Sequence, residues 1–162
     1  MSKLTRAPVS IGLLSLLIGA LGMVGPFAID SFFPAFPTMA DALGASSAEM
    51  QLTLSAYLFG FALMSLVHGP LSDAIGRRPI VLVNLAIFAL ANIGAALSTS
   101  LEQMVLWRLL QGLAGGAGTI VGRAIVRDCL EGAAAQRLMS RITLVFLIGP
   151  AVAPVVGGWI YV

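Results

Sequence analysis

Apolar positions fall into five long stretches, and the polar positions gather between them. The stretches cover residues 10–33, 51–68, 80–97, 104–126 and 142–161. Each holds about 20 residues with almost no charge, the length an α-helix needs to cross a bilayer. Strands of a membrane barrel would be shorter and would alternate apolar with polar side chains. Backbone groups inside a bilayer must pair within their own segment, so each stretch is predicted to be a spanning helix.

The segments between the stretches differ in character. Gly69-Pro70-Leu71-Ser72-Asp73-Ala74-Ile75-Gly76-Arg77-Arg78-Pro79 packs helix breakers, one acid and two arginines together, and reads as a single short turn. Residues 34–50 read as the longest loop, rich in Pro, Ala and Ser. Within it, Ser46 or Ser47 followed by Glu49 marks a helix start.

Basic residues follow the same alternation. Lys3 and Arg6 precede the first stretch, and Arg77 and Arg78 separate the second and third. Arg123, Arg127, Arg137 and Arg141 flank the fourth connection. The other two connections hold Asp41, Glu49 and Glu102, with no Lys or Arg. This asymmetry places the N-terminus in the cytoplasm and the end of the fifth stretch outside.

Composition removes the soluble alternative. Hydrophobic residues make up 59% of the 162 residues and charged residues 10%. Mean hydropathy is +1.00. A soluble chain of this size has too much surface to cover with so few charges. The net charge of +2 follows the topology and forms no patch, so nucleic acid is not a predicted partner; the lipid bilayer is. The apolar run from Ile11 to Ile29 is too long for a cleaved signal peptide, and no small-residue cleavage site follows it. The single cysteine, Cys129, allows no disulfide within the chain. No nucleophile–base set and no metal-ligand spacing occurs, so neither an enzyme nor a metal site is predicted.

Two ionisable residues lie inside the stretches. Asp30 sits near the outer end of the first, and Arg108 about one turn inside the outer end of the fourth. Charges at a helix centre carry an insertion cost of roughly 2.5–3.5 kcal/mol, less off-centre. Both are therefore predicted to face a polar cavity, with Asp30 taking up and releasing a proton. Tyr57, Gln51 and Asn92 are further candidate cavity residues, and His68 reads as a polar residue at the interface. Glycines form a second pattern. Gly112, Gly115, Gly116, Gly118 and Gly122 crowd the fourth stretch; Gly149, Ala153 and Gly157 recur every fourth residue in the fifth; Gly19, Gly22 and Gly25 recur every third in the first. Small residues so spaced allow helices to approach closely. Pro26, Pro150 and Pro154 predict bends, which suit a protein that rocks between two states.

These motifs carry a resemblance. Gly69-x-Leu71-Ser72-Asp73-x-x-Gly76-Arg77-Arg78 resembles the loop 2–3 motif of the major facilitator superfamily. Arg108-x-x-Gln111-Gly112 resembles its fourth-helix motif, and Gly149-Pro150-x-x-x-Pro154-x-x-Gly157-Gly158 its antiporter motif in helix five. Ile29-Asp30-x-Phe32-x-Pro34-x-x-Pro37 and Arg123-Ala124-Ile125-Val126-Arg127-Asp128 are similar to the Bcr/CflA multidrug-efflux branch. Ser65 departs from that branch's pattern, where glutamine is common. The resemblance implies an all-α membrane protein, five transmembrane helices of a major-facilitator-type N-terminal bundle. It implies drug:proton antiport across a bacterial inner membrane, with small hydrophobic drugs and protons as partners, the proton gradient as energy source and no cofactor. Asp30 and Arg108 would couple protons, and the 69–78 loop would act as a conformational lock. The superfamily has twelve spans in two halves, so the chain is expected to be incomplete, with C-terminal helices as missing partners, those for Asp73 included. The alternatives are a metabolite symporter of the same superfamily and an inactive membrane fragment.

Overall fold

A computed structural model describes residues 10–161. Lys3 and Arg6 lie outside them. Every regular element among the described residues is helical. Helix α1 covers Ile11–Asp30, α2 Phe36–Leu43, α3 Ser47–Ile75, α4 Arg77–Ala96, α5 Leu101–Gly115, α6 Ala117–Cys129 and α7 Gly132–Tyr161. A short 3-10 turn, Phe33–Ala35, joins α1 to α2. Counting α1–α2 and α5–α6 as continuous runs, five helices are long and apolar enough to cross a membrane.

Local chemistry sets the helix ends. The Ser10 hydroxyl accepts from the Leu13 amide, and the Ser100 hydroxyl from the Gln103 amide. Ser46 and Glu49 form a reciprocal capping box: Ser46 Oγ accepts from the Glu49 amide at 3.2 Å, and Glu49 Oε2 from the Ser46 amide at 2.8 Å. Gly44 closes α2 in the left-handed region at φ 61°.

Three segments differ from the sequence expectation. Residues 69–75 are not a turn; α3 continues through Pro70 to Ile75, and the break is confined to Gly76, at φ 108°. A proline only removes one amide hydrogen, whereas a left-handed φ ends a helix and favours glycine. The 34–50 loop is largely helical, because Pro34 and Pro37 stand at first-turn positions, where a missing amide costs nothing. The fourth span is not one continuous helix; it breaks at Gly116 within the Gly115, Gly116, Gly118 cluster, where helix propensity is lowest.

The fourth span is the centre of the bundle. In its most apolar 18-residue stretch 61% of the residues are buried, against 17–28% in the other four spans. Each of the three apolar clusters takes one buried residue from it: Ala114 with Tyr57 and Phe88, Val121 with Ile80 and Val81, and Val126 with Ile18 and Leu138. α5 packs chiefly on α3, and α7 on α1.

Glycine makes these crossings possible. A Cβ at Gly112 would overlap the backbone carbonyl of Tyr57 on α3, and one at Gly118 the carbonyl of Leu21 on α1. A Cβ at Gly60 would lie 2.6 Å from the Leu109 carbonyl. The stripe on α7 also meets α1: a Cβ at Gly149 would lie 3.0 Å from Met23 Cβ, and one at Gly157 would overlap Ser31 O. Gly69 and Gly158 differ, since the space beside each is open.

One crossing is also polar. Pro26 has no amide hydrogen, so the carbonyl of Gly22, four residues earlier, loses its helical donor. Thr119 Oγ1 on α6 donates to that carbonyl at 3.1 Å.

The crossing predicts a contrast between two glycines. Gly112→Val should lower stability by roughly 1–3 kcal/mol through overpacking. Gly69→Ala should leave it unchanged or raise it by up to about 1 kcal/mol. Unfolding midpoints of the two variants in detergent check this.

Candidate functional site

Two polar groupings stand at opposite ends of the bundle. The first surrounds Arg108, which the sequence predicts to face a polar cavity. It is 4% exposed and does not reach the surface. It lines a cavity of about 250 Å³ between the end of α1, α4 and α5, together with Ser31, Phe32, Asn92, Met104 and Gln111.

Helix geometry supplies one of its partners. At the end of α1 the Phe32 amide turns to the carbonyl of Ile29, at 3.2 Å. The carbonyl of Ala28 is thereby left for Arg108, whose Nη1 lies 3.5 Å away. The same Nη1 donates to Gln111 Oε1 at 3.0 Å. Gln111 Nε2 in turn reaches Ala91 O and Asn92 Oδ1 on α4, each at 3.4 Å. Gln111 therefore bridges the guanidinium to a third helix.

An aromatic face completes the enclosure. The Arg108 guanidinium lies 3.5 Å from the ring centre of Phe32 and 5.9 Å from that of Tyr57. A cation over a ring face is stabilised by the ring quadrupole. Arg108 Nε and the Tyr57 hydroxyl are buried without a hydrogen-bond partner. The grouping is thus a cation held by a ring and carbonyl dipoles, with donor capacity left over.

Asp30, the other residue assigned to this cavity, is half-buried and makes no ion pair with Arg108. Its neighbours Ser31 and Phe32 line the cavity, and Asp30 is not among the lining residues. Of the remaining sequence candidates, Asn92 lines the cavity, Tyr57 stacks behind it, and Gln51 is exposed elsewhere.

The second grouping lies at the basic end. Arg77 forms an ion pair with Asp73 across the Gly76 break. Its Nε also donates to Asp128 Oδ2 at 2.9 Å and its Nη2 to Asp128 Oδ1 at 3.4 Å, a two-pronged contact with the end of α6. Its Nη1 donates to Ser72 Oγ, which itself donates to Gly69 O. One guanidinium thus ties the end of α3, the start of α4 and the end of the fourth span. Among the described residues Asp73 pairs with Arg77, four residues on, and its expected partners in further helices lie beyond this chain. Arg78 is exposed.

Sequence reasoning missed Asp128 as the partner of Arg77, since 51 residues separate them. It also gave Phe32, named only within a family-like motif, no part in holding Arg108. His68, read as an interface residue, is fully buried against Asn84. Polar residues so far apart announce no pairing before the helices are placed side by side. Gly149, Pro150, Pro154 and Gly157 lie on α7, where Gly149 and Gly157 meet α1.

The bridging role of Gln111 predicts a cost. Gln111→Leu removes an acceptor from a buried cation and should destabilise by about 1–3 kcal/mol. A thermal unfolding series in detergent measures it, and an unchanged midpoint would show that Arg108 is satisfied without Gln111.

Comparison with known proteins agrees with this architecture. An uncharacterized MFS-type transporter, YdgK, of Bacillus subtilis is 40% identical over 145 residues. A bicyclomycin resistance protein homolog of Haemophilus influenzae is 35% identical, and multidrug resistance protein D of Escherichia coli 33%, over the same length. Each alignment covers 90% of this chain. The chain spans only 36–37% of the length of these relatives. The family model of the Major Facilitator Superfamily matches residues 16–162, and the chain belongs to that superfamily.

Proposed function

We propose that the chain forms the N-terminal bundle of a proton-coupled exporter of small hydrophobic drugs in a bacterial inner membrane. The observation that carries this reading is the enclosed cation at Arg108, held beside a cavity that opens next to the first span. The similarity to proteins named for bicyclomycin and multidrug resistance supports the drug class. A guanidinium caged by carbonyl dipoles and aromatic faces stays charged and immobile. A carboxylate nearby can then exchange a proton against that fixed field. Asp30 is the carboxylate we assign, because it precedes Ser31 and Phe32 of the cavity wall and spends no charge on an ion pair.

In this reading the basic end faces the cytoplasm, as the arginine asymmetry requires. The Arg77 tie then holds the bundle in one state of its cycle, and its release accompanies the other. The glycine stripes let helices slide without losing contact, and Gly149, Pro150, Pro154, Gly157 and Gly158 adapt α7 to that motion.

Two measurements test the reading. In the complete transporter, Asp30→Asn should abolish drug-triggered proton release from everted vesicles; undiminished release would remove Asp30 from the coupling. Cys129, the single cysteine of residues 1–162, is exposed at the end of α6, and any cysteine elsewhere in the complete transporter is replaced before labelling. A membrane-impermeant thiol reagent should label it in inside-out vesicles and leave it unlabelled in intact spheroplasts. The reverse pattern would invert the topology.

A further inference from the structure

The buried pair of His68 and Asn84 enters none of the roles above. His68 is the only histidine of the chain and is 0% exposed; Asn84 is 8% exposed. They join α3 to α4 inside segments apolar enough to span a membrane, where a polar pair costs desolvation. Such pairs call for a specific reason.

Hydrogen-bond arithmetic gives the tautomer. Asn84 Nδ2 donates to the Ile80 carbonyl at 2.9 Å, one turn back on α4. Its Oδ1 is therefore the atom turned toward His68 Nε2, 3.1 Å away. An amide oxygen only accepts, so Nε2 carries the hydrogen. In the neutral ring Nδ1 then holds a lone pair. Nδ1 is buried without a partner. It faces the joint of the fourth span: a Cβ built at Gly116 would come within 3.6 Å of it.

The charged groups on the surrounding elements are engaged or remote. On α3 and α4, Asp73 and Arg77 pair with each other, and Arg77 also holds Asp128 of α6. On α5, Arg108 stands eight residues before Gly116, about 12 Å along the helix axis, under the Phe32 ring. On α6, Arg123 stands seven residues after Gly116 and is exposed. Asn84, the hydrogen-bond partner of the ring, does not titrate, and Gly116 offers only backbone on the Nδ1 side.

We propose that His68 is a second proton-binding site of this protein, a positioning residue whose Nδ1 accepts a proton only when α3 moves off the Gly116 joint. The step adds one proton, taken from water entering at the basic end, to the Nδ1 lone pair; no other bond forms or breaks. Nε2–H stays on Asn84. The new Nδ1–H needs an acceptor, and the packed arrangement offers it none. The closed packing therefore holds the neutral ring, while the opened packing, with water at Nδ1, holds the cation. By linkage, proton uptake and separation of α3 from the joint favour each other. The site differs from Asp30 in place and in partner, and it stands whether or not Asp30 carries the coupled proton.

His68 and Cys129 are the single histidine and single cysteine of residues 1–162, which makes this testable in the complete transporter once any histidine or cysteine elsewhere in it is replaced. That protein, labelled with 15N-histidine and with a fluorophore on Cys129, is placed in lipid nanodiscs. Its spectra are followed through the range of about pH 5–8 in which histidine titrates. At the alkaline end the ring should show the Nε2–H tautomer. On acidification an imidazolium signal should appear, and fluorophore emission should change with the same midpoint. His68→Gln keeps a donor for Asn84 but cannot titrate. It should retain helicity by circular dichroism and lose the emission step. Asn84→Leu should retain helicity and lose the Nε2–H preference. A ring that stays neutral throughout overturns the proposal. So does an Nδ1–H tautomer, titration without an emission change, or an emission step that survives in His68→Gln.

Discussion

Everything in this bundle depends on how closely the fourth span can approach the first and second. Gly112 rests on the carbonyl of Tyr57 and Gly118 on that of Leu21. Contacts between backbones leave no side chain to absorb error. They set the spacing of α1, α3 and the α5–α6 run at backbone contact. The three apolar clusters are then filled around a spacing already set. Without a hydrophobic drive between helices in lipid, such contact is the main source of association available.

The same closeness explains where the polar groups are. Proline and helix ends leave carbonyls without donors, and the bundle supplies them from neighbouring helices. Thr119 serves the carbonyl that Pro26 strands, and Arg108 serves the one that Phe32 abandons. Neither donor could reach across a wider gap. The cation at Arg108 is thus a product of backbone geometry as much as of charge placement, and Gln111 extends that geometry to α4.

The sequence made the elements legible and the pairings illegible. Hydrophobic stretches of membrane length show themselves because the bilayer imposes one period and one length. The helix start near Ser46, Ser47 and Glu49 was legible for the same kind of reason, since its partners lie within three residues of each other, though which serine caps was not. The helical course of residues 69–75 was not. Gly69 and Pro70 look like breakers, yet only Gly76 takes a φ that a helix cannot continue. The ties of Arg77 to Asp128 and of His68 to Asn84 join residues on different helices. No local pattern encodes them. Gly116 was visible as a packing glycine, but its role as the joint of the fourth span appeared only once the helices were in place.

The length of α3 has a consequence for the Arg77 tie. At 29 residues the helix is about 44 Å long, well beyond a hydrocarbon core of about 30 Å. A modest tilt shortens its projection but does not bring the last turns into the lipid interior. Ser72, Asp73 and Arg77 therefore belong to the headgroup layer, a medium partly wet and rich in fixed charge. The ionised forms of Asp73 and Arg77 need no burial there, so the tie can be made and broken at small cost. A reversible fastening between helices is better placed at that depth than one turn deeper, where every exchange of partner would cross hydrocarbon.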